Sequence, residues 1–75
     1  MDIDTDKIDQ VVLALLYLTL HDGVRAWKGF DGDSMNRLYD KGFISNPIGK
    51  AKSVVLTDEG LHEAERLFMT LFAKQ

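Results

Sequence analysis

Residues 51–60 read AKSVVLTDEG, a run that starts like a strand at Ser53-Val54-Val55-Leu56 and turns into a helix start at Thr57-Asp58-Glu59-Gly60. Thr57 has the chemistry of a helix N-cap, and Asp58 and Glu59 complement the positive end of a helix dipole. Strand and helix therefore abut with no loop between them. The helix expected from Asp58 to about Ala73 places Leu61, Ala64, Phe68, Leu71 and Phe72 on one face and is amphipathic.

Working back toward the N-terminus, Ser45 to Lys52 is a turn-rich loop holding the only proline, Pro47, and Phe43-Ile44 before it starts an extended segment. Ser53 to Leu56 reads as the strand that returns against it. A short helix is expected from about Ser34 to Lys41, opened by Asp31-Gly32-Asp33 and ended by Gly42, with Met35, Leu38 and Tyr39 inward. Val24 to Phe30 reads as a further strand in which aromatic and basic residues interleave. The first helix is expected from about Thr5 to His21, capped by Asp4 or Thr5, with Asp6 and Asp9 at its positive end and Gly23 beyond its exit.

That first helix is apolar over most of its circumference. Ile8, Val11, Leu15 and Leu18 form one stripe, and Leu13, Leu16, Tyr17 and Leu20 form another. A surface helix needs only one. Either this helix is central to the domain or its second stripe packs against another chain.

Length and composition bound the rest. Seventy-five residues make one domain, 1–75, which buries only about 60% of its unfolded surface. The apolar fraction of 45%, with 28% charged residues, is that of a folded globular chain. There is no cysteine to supply a disulfide or a thiolate metal ligand. The longest apolar run, Val11 to Leu18, is far short of the roughly 20 residues a bilayer requires. The acidic start Asp2, Asp4, Asp6 is unlike a signal peptide, so a cytoplasmic protein without a membrane partner is expected.

The net charge of −3 conceals an uneven distribution. Residues 24–52 carry Arg25, Lys28, Arg37, Lys41, Lys50 and Lys52 against Asp31, Asp33 and Asp40, a net +3. A polyanion would meet the middle of the chain.

The order of elements is close to that of a winged helix. Leu38-Tyr39-Asp40-Lys41-Gly42-Phe43-Ile44 resembles the end of a winged-helix recognition helix. Val54-Val55-Leu56-Thr57-Asp58-Glu59-Gly60 is similar to the second wing strand and last-helix start of regulators of the multiple-antibiotic-resistance type. Over its whole length, including Asp2 to Ile8 and Arg25 to Phe30, the chain resembles a small bacterial family known only as a domain of unknown function. The resemblance implies an α+β, winged-helix-like fold of three helices and a small antiparallel sheet in the order helix-strand-helix-strand-strand-helix, and pairing of subunits through terminal helices. It departs from the pattern between Asp22 and Gly32, where the first helix of a helix-turn-helix is missing.

Two surfaces follow. A homodimer would use Ile8, Val12, Leu15, Leu16, Leu67, Phe68, Leu71 and Phe72, which together offer more apolar side chains than one small core readily covers. A nucleic-acid surface would use Arg25, Lys28, Asn36, Arg37, Lys41, Lys50 and Lys52. Asn36 and Arg37 could reach base edges, and the lysines of 45–52 could reach phosphates. Lysines in a hairpin also serve simply to keep it soluble. Trp27 reads either as a stacking platform or, more simply, as an anchor for the core or for a dimer contact.

For chemistry there is little. His21 and His62 are isolated, the aspartates lack calcium-loop spacing, and Ser34, Ser45 and Ser53 sit in no nucleophile motif. The expectation is a non-enzymatic protein-interaction module with no metal and no cofactor, or alternatively a DNA-binding transcriptional regulator acting through the short helix 34–41 and the wing 45–52.

Overall fold

The computed structural model describes residues 1–74. Its elements are α1 (Thr5–Leu18), β1 (Arg25–Trp27), α2 (Gly32–Asp40), β2 (Ser53–Val55) and α3 (Asp58–Phe72). The architecture is α+β, with three helices and an antiparallel two-stranded sheet. Arg25 lies opposite Val55, Ala26 opposite Val54 and Trp27 opposite Ser53.

The sequence pattern pairs residues 43–44 with β2, and the structure reduces that pairing to one bridge, Ile44 to Leu56. Ser45 extends it slightly, donating its N–H to Val55 O (2.8 Å) and accepting the Val55 N–H on its hydroxyl (2.9 Å). The longer ladder belongs to β1. Its Ala26 is fully buried on the core side, whereas Phe43 comes directly after the turn that ends α2, where the Gly42 N–H donates to Tyr39 O (2.9 Å).

Each helix start is set by a side chain. Asp4 accepts from Lys7 N (3.0 Å), Asp31 from Ser34 N (3.1 Å), and Thr57 from Gly60 N (3.0 Å). α1 stops at Leu18, short of His21, because the backbone turns left-handed at Asp22 (φ 51) and Gly23 (φ 82) to enter β1. α2 begins at Gly32, two residues earlier than its sequence suggests, since Asp31 rather than Asp33 caps it.

The core consists of Val12, Leu13, Ala14 and Leu16 of α1, Ala26, Met35, Leu38, Ile44, Val54 and Leu56, and Ala64 and Leu67 of α3. Of the two stripes on α1, the one containing Leu13 and Leu16 is buried. Tyr17 and Leu20 pack against its edge. Tyr39, expected inward, is 43% exposed; α2 is short, and Met35 and Leu38 already fill its inner side.

The junction at Thr57 holds the two halves together. Its hydroxyl donates to Gly42 O (2.6 Å) while capping α3, and its N–H donates to Phe43 O (3.0 Å). Gly60 then passes directly over that carbonyl: a Cβ there would lie 1.8 Å from Phe43 O. Only glycine permits this approach. The segments 38–44 and 54–60, which carry the winged-helix resemblance, thus meet in space and fit each other through backbone.

Candidate functional site

The best-built polar group in the molecule is an ion-pair cluster between α1 and α2. Asp9 is fully buried among the apolar residues of α1. It accepts two hydrogen bonds from Arg37, at 2.7 Å from Nε and 2.9 Å from Nη2, and one from Lys41 at 3.4 Å. Arg37 also reaches the Ser34 hydroxyl (3.3 Å), and Lys41 lies 3.5 Å from Asp6. The Arg37 hydrogen bond holds the Asp9 carboxyl below its usual range against the opposing effect of burial, with Lys41 assisting. The same bond pushes the Arg37 guanidinium above its usual value. A fork-on-carboxylate pair of this kind fixes the orientation of α2 against α1.

This cluster was legible only in part. Asp9, Val12, Leu13 and Leu16 share the i, i+3, i+4, i+7 spacing of a buried stripe, so the phase of Asp9 marks it as an inward carboxylate. A reading of Asp9 as a dipole partner misses that.

The consequence for nucleic-acid contact is direct. Arg37 and Lys41 are engaged with α1 acids, and Lys28 donates its ammonium to Pro47 O (2.6 Å) and Gly49 O (2.9 Å), tying the 45–52 loop to β1. Asn36 is exposed beside Lys28 and Phe30 on a shallow depression. Arg25, Lys50 and Lys52 are exposed and meet no carboxylate within ion-pair distance among the described residues. Three of the seven, Lys28, Arg37 and Lys41, are thus engaged within the fold. Between Leu18 and Gly32 the chain holds β1 and no helix.

The residues named for a dimer divide as well. Val12, Leu16 and Leu67 are buried in the chain's own core and are unavailable to a partner, because the inner faces of α1 and α3 pack on each other. Leu15 and Phe68 are half-buried. Ile8, Leu71 and Phe72 are exposed, at 39%, 43% and 47%, and Leu18 and Met69, at 64% and 53%, join them. Aromatic contacts Tyr17 to Phe68 (5.2 Å between centroids) and Phe68 to Phe72 (5.6 Å) bring the C-terminal ends of α1 and α3 together. At the other end of α1, Ile3, Ile8, Val11 and Val12 line an open, apolar depression of about 400 Å³.

Trp27 is no core anchor. It is 54% exposed on the outer face of the sheet, because Ala26 takes the inward position of this three-residue strand. His21 stacks on it, with centroids 4.3 Å apart and planes at 27°.

Among the described residues no group of three or more His, Asp or Glu side chains is arranged to hold a metal, and no helix is long and apolar enough to cross a membrane. A cleft of about 350 Å³ between α1 and α3 is lined by Asp6, Gln10, Lys41, Phe43 and Glu63, beside the Asp9 cluster. Asp9 also lines it, so two members of the ion-pair cluster, Asp9 and Lys41, face the cleft.

A three-helix α+β domain with one internal ion-pair cluster and an uncovered apolar helix end defines an architecture rather than a chemistry. The chain belongs to the family described as "Domain of unknown function (DUF6429)", which matches residues 4–74. It is similar to "Uncharacterized protein y4hR" of Sinorhizobium fredii (strain NBRC 101917 / NGR234), with 57% identity over 74 residues, covering 99% of this chain and 100% of that protein. No solved structure matches the chain significantly.

Proposed function

We propose that this protein is a non-enzymatic interaction module that self-associates through the exposed stripe of α1 and the end of α3. The observation that carries this reading is a stripe at core spacing that outruns the core. Ala64, Leu67 and Leu71 lie on one face of α3, and the first two are buried while Leu71 is 43% exposed. The last turn of α3 leaves Leu71 and Phe72 exposed, and Leu18 is exposed at the end of α1, whose neighbouring Tyr17 packs on Phe68. Exposed apolar side chains on the two helices of a buried pair are what a two-fold interface covers.

The test is the molar mass in solution. Light scattering on a size-exclusion column at about 100 µM, a concentration at which a micromolar complex is nearly saturated, is expected to give the dimer mass for the native chain. Leu18→Glu with Leu71→Glu is expected to give the monomer mass with unchanged circular dichroism. A monomer for the native chain would sink the reading.

The alternative, a DNA-binding regulator, has Lys50 and Lys52 in its favour, both exposed in the 45–52 loop. Against it stand the engagement of Arg37 and Lys41 with Asp9 and the missing backbone-crossing helix.

A further inference from the structure

An apolar hollow and an uncovered apolar helix end lie at opposite ends of α1. The hollow, of about 400 Å³, is at the N-terminal end, walled by Ile3, Ile8, Val11 and Val12 and rimmed by Asp2, Asp4 and Lys7. Ile3 and Ile8 are exposed within it. At the other end of α1, Tyr17 packs on Phe68 and Phe68 packs edge-on against Phe72, which ties the last turn of α3 to that end. Leu71 and Phe72 stay exposed there. Between the two ends, Ile8, Val11, Leu15 and Leu18 recur at helical spacing along one side of α1.

The two ends also differ in charge. Residues 1–8 carry Asp2, Asp4 and Asp6 against Lys7, whereas residues 67–74 carry Lys74 and no acid. Asp4 is occupied as the cap of α1, and Asp6 lies 3.5 Å from Lys41. Asp2 and Lys74 meet no opposite charge within ion-pair distance among the described residues.

We propose that the occupant of the hollow is the α3 end of a second copy of this chain, with Leu71 and Phe72 of one protomer against Ile3 and Ile8 of the other, Lys74 beside Asp2, and the contact repeated by the two-fold axis. The proposal rests on the self-association reading and states how its surfaces meet. In a two-fold interface, if one patch touches a second, the second touches the first. A rotation that runs the two α1 helices antiparallel brings each α3 end to the other protomer's hollow. A rotation that runs them parallel sets hollow against hollow and brings the two acidic N-terminal segments together, where like charges repel. Phe72 is the anchor, since a buried aromatic ring removes about 150–250 Å² from water.

The experiment reads contacts between native chains. Copies with methyl-labelled isoleucine in a deuterated background are mixed with copies protonated only at phenylalanine, at about 1 mM, where a micromolar complex is saturated. Any nuclear Overhauser effect from an isoleucine methyl to a phenylalanine ring then crosses between protomers. Ile3 and Ile8 are expected to show one to the Phe72 ring, and Ile44, sealed in the core, to show none. Asp2→Lys and Lys74→Glu are each expected to raise the dimer dissociation constant about two- to fivefold, and together to restore it.

A dimer mass with no such effect at Ile3 or Ile8 would overturn the seating and leave the association reading standing. Charge variants whose effects add instead of cancelling would overturn the pairing of Lys74 with Asp2, and with it the antiparallel arrangement. A monomer mass at the same concentration would remove both readings together.

Discussion

The two sides of α1 are finished in opposite ways. Toward the body, every strong group has its partner: Leu13 and Leu16 are sealed in the core, and the one carboxylate there, Asp9, takes two cations. On the other side Ile8 and Leu18 are exposed and Val11 and Leu15 half covered, although the residue types are no less apolar. Hydrophobicity alone does not tell the buried stripe from the exposed one. What distinguishes them here is that the inner side carries a buried charge matched across to α2, which fixes the rotation of the helix.

If the inner side is the rigid one, damage there should be costly. The largest effect is expected from Gly60→Ala, which places a methyl group against the Phe43 carbonyl and forces α3 off its seat. A loss of about 3 kcal/mol or more in urea unfolding is expected, at the upper end for overpacking against backbone. An unchanged midpoint would show that the α3 junction yields easily.

Next comes Asp9→Ala, expected to cost about 3 kcal/mol, as for breaking a buried pair whose remaining partner can partly rehydrate. The effect should depend on pH. Because the folded-state carboxyl is held below its ordinary value, the stability it contributes is fully present above the unfolded value and is lost as pH falls through the folded one. The gap between the native chain and Asp9→Asn is therefore expected to be constant near neutrality and to close below about pH 4. A gap that widens on acidification would contradict the assignment.

Smaller still is Asp4→Ala, which removes the cap on Lys7 N at the exposed start of α1. A loss of about 1 kcal/mol in thermal or urea unfolding is expected. On the outer side, Leu71→Glu should move the stability of the monomer, measured at dilution, by less than about 0.5 kcal/mol. A large loss there would mean that the overhang is part of the core after all.

Much of this arrangement was legible in the chain. The strand-to-helix junction at Leu56-Thr57, with Thr57 as cap, is a local signal in local chemistry; Asp4 is one of two candidate caps for α1, and Asp31 caps α2 two residues ahead of its expected start. What the sequence left open depends on contacts between distant residues. Pairing of β2 with β1 rather than with residues 43–44 is a choice between two apolar partners, settled by the fit of Ala26 into the core. Arg37 and Lys41 look like a basic helix face until Asp9, 28 residues earlier than Arg37, is seen to face them. Trp27 reads as an anchor by residue type, and only the register of β1 turns it outward.

The most direct test of the account is a dilution series followed by methyl resonances of selectively labelled leucine. Leu18 and Leu71 are expected to shift with concentration along a single binding curve while Leu13, Leu16 and Leu38, sealed inside each subunit, hold still. Shifts confined to the inner set, or none at all between micromolar and millimolar protein, would contradict an association surface made of the outer stripe of α1 and the end of α3.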